Sequence, residues 1–243
     1  MDRRQRHCPL SRFMQQTMNS DERAWAELDQ ELAQVTDILQ EIARELDEPL
    51  NQLVLSQIRR AAPHRRAGVV LAFGAGEQDE DPQRTRRISL AAALEMLYIA
   101  QRVHHLLLRQ QTEAMDKSLM GSIILAGDFC FSRSADLAVR TENPEIVQIF
   151  SDALKRLSEN NLRNLFDQDT QQMQSDRVLL ASGIEAALLL AASAPDPATT
   201  AAWAQEWAAF LAAEAPAEPP SDLARFNQQQ AARIRGLMRA EQS

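Results

Sequence analysis

Residues 95–131 read EMLYIAQRVHHLLLRQ (95–110), QTEAMDKSLM (111–120) and GSIILAGDFCF (121–131). Upstream and through this stretch, Leu90, Leu94, Leu97, Ala100 (or Gln101), Val103 and Leu107 recur at steps of three and four. That spacing lays one apolar stripe along a helix. Ile123, Ile124, Leu125, Phe129, Phe131 and Leu137 form a second and denser helical run. A short link carrying Gly121 is expected between the two. The stretch therefore predicts two central helices of an all-α protein.

Composition agrees. The chain has 243 residues, of which 45% are apolar, with seven glycines and abundant alanine. Alanine has the best helix propensity and glycine among the worst. Few β-branched or aromatic runs argue for strands. The 34 acidic and 26 basic residues leave a formal charge of −8, which argues against nonspecific nucleic-acid binding. Basic clusters at Arg3-Arg4-Gln5-Arg6, Arg59-Arg60, Arg65-Arg66 and Arg84–Arg87 read mostly as solvated helix ends. Cys8 and Cys130 form no disulfide framework and no metal-ligand spacing. No secretory signal is visible, and the longest apolar run, Val178 to Ala194, is interrupted by Glu185. These features point to a soluble cytoplasmic protein with no membrane span.

Residues 1–18 are basic and polar and are expected to form a flexible tail; 19–243 read as a single helical domain. Asn19 or Ser20 offers an N-cap to a helix striped by Trp25, Leu28, Leu32, Val35, Leu39, Ile42 and Leu46. A helix then follows Pro49, and another follows the basic stretch Arg59–Arg66. Gly74 to Pro82 reads as a loop, and Arg84 to Gln111 as a long helix. Asn143-Pro144 starts a helix, Asn capping and Pro at the first helical position. A helix over Ser175–Ala194 ends at Pro195-Asp196-Pro197, and Thr199 or Thr200 is expected to cap the next, through Trp203, Trp207 and Phe210. A linker lies near 214–221, and a polar helix over Asp222–Arg239 closes the chain.

The order of these elements, and two motifs among them, resemble the trans-isoprenyl diphosphate synthases, the polyprenyl synthetase family. In that family a helix reads roughly Glu-Leu-Ile-His-x-Ala-Ser-Leu-Ile-His-Asp-Asp-x-x-Asp, and a later one opens Leu-Ala-Gly-Asp-Tyr. Here Glu95, Ala100 and His104 match the first pattern, and Leu125-Ala126-Gly127-Asp128-Phe129 matches the second at the right distance. The resemblance covers roughly Val54 to Leu190 and implies an isoprenoid-synthase-like helical bundle, truncated relative to the family.

The charged motifs of the family are absent. Its first Asp-Asp-x-x-Asp falls on His105-Leu106-Leu107-Leu108-Arg109, so His104, His105 and Arg109 mark a degenerate metal site without a carboxylate. Magnesium prefers oxygen ligands and bridges carboxylates to substrate phosphates, and His105, Leu106 and Arg109 supply none. Adjacent histidines on a helix point about 100° apart and do not chelate one ion together. The family's arginine pair falls on 110–117, its Lys-Thr pair on Ile184-Glu185, and its second aspartate motif has no counterpart. Arg65 and Arg66 stand near the family's Gly-Gly-Lys-Arg-Leu-Arg-Pro, which grips the homoallylic diphosphate. They are either a residual phosphate site, since arginine offers a forked set of donors, or exposed charges before a helix. Asp128 falls where the family has an aspartate away from the chemistry.

Ionising an allylic diphosphate relies on metal and cationic stabilisation of the leaving group. The sequence thus assigns no catalytic residue and no metal or cofactor to this chain, with magnesium expected only in a catalytic partner. The leading expectation is a noncatalytic or regulatory subunit of a heteromeric polyprenyl diphosphate synthase, inactive alone. Its partner would be a catalytic subunit, or a second copy of itself in a homodimer. The alternative is a repurposed helical protein that binds an apolar or isoprenoid ligand. A changed chemistry around His104, His105 and Arg109 finds no nucleophile, base and orienter to support it.

Overall fold

The computed structural model describes residues 19–61, 64–77, 80–109, 117–164, 171–193, 196–213, 219–220 and 222–240. The expected tail (1–18) and most of the expected linker lie outside them. Among the described residues there is no strand. The elements are α1 (Ser20–Arg44), α2 (Leu50–Ala61), α3 (Arg65–Phe73), α4 (Asp81–Arg109), α5 (Lys117–Val139), α6 (Pro144–Asn164), α7 (Gln171–Leu190), α8 (Pro197–Leu211), a single 3-10 turn (Leu223–Arg225) and α9 (Gln228–Ala240).

Local chemistry sets three of the helix starts. Asn19 accepts from Glu22 N–H at 2.8 Å while the Glu22 carboxylate accepts from Asn19 N–H at 2.9 Å, a reciprocal capping box. Asn143 accepts from Glu145 N–H at 2.9 Å, and Pro144 opens α6 where no donor is needed. At α8 the cap is Asp196 rather than a threonine: it accepts from Thr199 N–H at 2.9 Å, ahead of Pro197. Thr199 is the donor there, through its N–H and its hydroxyl, because Asp196 already stands in the extended backbone position that a cap requires. A second difference concerns Gly121, which lies inside α5 and not in a link. The described part of α4 ends at Arg109 and that of α5 begins at Lys117. The closing segment is also divided, with the 3-10 turn and an extended Phe226 before α9.

α3 is the centre of the bundle. Every residue from Arg66 to Phe73 is buried, so this short helix is enclosed on all sides. α4 crosses it with an almost unbroken buried run from Leu90 to Leu97. α7 packs on both: a Cβ on Gly183 would sit 2.4 Å from Leu94 Cδ2 and 3.2 Å from Val70 Cγ2. Beyond α3 an aromatic cluster closes the far end, with Phe73 edge-on to Trp207 at 5.3 Å and to Phe226 at 5.5 Å.

A helix that ends inside a protein leaves carbonyls that need donors. α3 obtains them from distant side chains. Leu71 O accepts from Arg233 Nη1 at 3.1 Å and Phe73 O from Gln230 Nε2 at 2.5 Å. Gly74 O accepts from Arg87 Nη1 at 3.3 Å and Ala75 O from Asn227 Nδ2 at 2.8 Å. Arg87 and Arg233 then converge on Glu31 of α1, and all three side chains are buried. The arginines at 84–87 are therefore not a solvated helix end throughout. Arg86 pairs with Glu142 at the surface, but Arg87 is sealed and Arg84 reaches Glu31 at 3.4 Å.

Candidate functional site

α4 carries a polar row through its apolar body. Glu95, Tyr98, Arg102 and His105 follow at steps of three and four, with Gln101 beside them, so they share one face. That face meets the start of α3, the end of α2 and the first half of α7. Glu95 is sealed from solvent and accepts from Ala67 N–H at 3.2 Å, at the open end of α3. His64, just before α3, adopts the left-handed backbone (φ 59°) and brings its Nδ1 to 3.5 Å from Glu95 Oε1. A carboxylate at a helix N-terminus meets the unsatisfied N–H groups and the positive end of the helix dipole. Glu95, the residue that matched the family pattern, is thus a structural anchor for α3.

Arg65 and Arg66 do not act as a pair. Arg65 donates to the Leu211 carbonyl at the end of α8. Arg66 turns inward, its guanidinium carbon 3.3 Å from the Tyr98 ring centroid, and donates to Asp176 of α7 at 2.5 Å. Arg65 remains exposed at the first residue of α3, whereas Arg66, one position on, is buried. Arg102 approaches the other side of the same assembly. It donates to the Tyr98 hydroxyl at 3.1 Å and to Gln57 Oε1 at 3.3 Å. Tyr98, Arg102, Gln57 and Asp176 were not singled out from the sequence. The first two were detectable as polar positions on the buried stripe of α4; Asp176 carried no signal.

At the degenerate motif, His104 turns to α5. Its Nε2 lies 3.4 Å from Asp128 Oδ1 and 3.4 Å from Ile124 O, and its ring tilts against Phe131 at 5.1 Å. A Cβ on Gly127 would fall 2.1 Å from His104 Nε2, so the glycine of Leu-Ala-Gly-Asp-Phe makes room for this ring. Asp128 is therefore not remote from the degenerate motif but partners its first histidine. His105, about 100° further round α4, is half-buried, as is Leu106. The Arg109 side chain and 110–116 lie outside the described region. No group of three or more His, Cys, Asp or Glu among the described residues is arranged to hold a metal ion.

Two other positions bear on the site. Ile184 is buried in the core, and Glu185 lies among Asp152 and Arg156 of α6. Burial pushes the Glu185 carboxyl above its ordinary range, with Asp152 adding to the rise and Arg156 opposing it. Glu185 is thus within electrostatic reach of α6. Cys130 is fully buried and its thiol is pushed up to about 12 by desolvation, which leaves it unreactive. No helix among the described residues is long and apolar enough to cross a membrane.

No protein-family model matches the chain, and no curated protein matches it. Solved structures do. A geranylgeranyl pyrophosphate synthase from Lactobacillus brevis, complexed with citrate, superposes with a TM-score of 0.63 at 17% identity, over 78% of this chain and 61% of that one. A polyprenyl synthase from Caulobacter crescentus, complexed with calcium and isoprenyl diphosphate, gives 0.60 at 19%, over 79% and 62%. A heptaprenyl diphosphate synthase from Staphylococcus aureus gives 0.60 at 18%, over 76% and 62%. The chain spans about three fifths of the length of these synthases. The all-α bundle they share is the fold of this chain.

Proposed function

We propose that this chain is a noncatalytic, isoprenoid-synthase-fold subunit that binds a catalytic polyprenyl diphosphate synthase in the cytoplasm and tunes its rate or product length. The observation that carries the reading is a bundle shared with the synthases beside a sequence that has no carboxylate at 105–109. By the family resemblance the aspartates would fall on α4, where His105 and Leu106 offer magnesium no oxygen. The arginine that would meet a diphosphate is bonded to the chain's own Asp176.

A surface for the partner is consistent with this reading. The family resemblance implies pairing through helices near the middle of the chain, and α5 is such a helix. Its exposed side carries Leu119, Met120, Ile124, Leu125 and Val139, with Leu125 64% exposed. Four of these, Leu119, Met120, Ile124 and Leu125, fall within the first turns of α5, and exposed apolar side chains gathered in this way fit a protein–protein contact.

Turnover of labelled isopentenyl diphosphate with an allylic diphosphate and magnesium tests the reading. The chain alone should be silent. Mixed with the catalytic homologue of the same organism, it should change rate or product length. Activity of the chain alone would overturn the reading, as would no effect and no complex on mixing.

A further inference from the structure

We draw no further inference here: the strongest candidate, the exposed apolar patch on the first turns of α5 (Leu119, Met120, Ile124 and Leu125), already serves the pairing proposed above, and nothing in the structure shows what else would cover it.

Discussion

Arg233 of α9 reaches Glu31 of α1, Nη1 to Oε2 at 2.9 Å, across 202 residues of sequence and with both side chains sealed from solvent. Arg87 donates to the same carboxylate at 2.7 Å. One acidic group thus joins the first, fourth and last described helices, while both arginines also satisfy carbonyls at the end of α3. Removing one partner of a buried pair leaves the other's charge uncompensated and costs about 3–5 kcal/mol. Glu31→Gln exposes two buried arginines to this penalty, whereas Arg233→Met leaves the Arg87–Glu31 bond in place. Urea denaturation should therefore place Glu31→Gln below Arg233→Met, and both well below wild type. Equal midpoints for Glu31→Gln and wild type would contradict the account.

The close approach of α7 to α3 and α4 depends on Gly183. Its absent Cβ is the space that Leu94 and Val70 fill, at 2.4 and 3.2 Å. Overpacking of this kind costs about 1–3 kcal/mol, because neighbouring side chains leave their rotamers. Gly183→Ala should lower the denaturation midpoint by a shift of that size, and Leu94→Ala in the same chain should recover part of it. Two purely additive losses would show that the two positions do not share the space.

The fold was readable in the sequence because its cues are local. Stripes at three- and four-residue steps located the helices, and Asn19 and Asn143 marked two starts correctly. The buried charges were not readable. Arg87 lies in a run of arginines that looks solvated, and its partner Glu31 is 56 positions away on a helix whose apolar stripe gives no reason to expect a buried acid. The same holds for Arg66, whose fate depends on Asp176, 110 positions downstream. The absence of aspartates at 105–109 was plain from the sequence, whereas the turning of His104 toward Asp128 depends on Gly127 and the packing of α5 on α4.

Two carboxylates should give the stability opposite pH dependences. The Asp21 carboxyl is held below its ordinary range, chiefly by the hydrogen bond from Arg235. Its contribution is present above the ordinary carboxylate pKa of about 4 and is lost as pH falls through the folded value. Glu185 is raised, chiefly by burial, so the folded chain holds its proton more tightly than the unfolded chain. Its charge therefore destabilises the fold as pH rises above about 4 and through the folded value. Asp21→Asn should lose stability at neutral pH and match wild type in strong acid. Glu185→Gln should gain stability at neutral pH and likewise converge in acid. Thermal melts across this range check both signs, and the same sign for the two variants would refute one assignment.

The α5 surface separates folding from association. Leu125 is 64% exposed, so Leu125→Glu removes little from the core of the isolated chain. An exposed substitution of this kind changes stability by about 0.5 kcal/mol or less. In a complex seated on α5 the same change would bury an uncompensated carboxylate against apolar groups, which is far more costly. Thermal melts of the variant should therefore match wild type, while its association with the catalytic homologue, followed by gel filtration or by product length, should be lost. Undiminished association would place the partner elsewhere on the bundle, and a fallen melting temperature would mean that Leu125 packs within the chain itself.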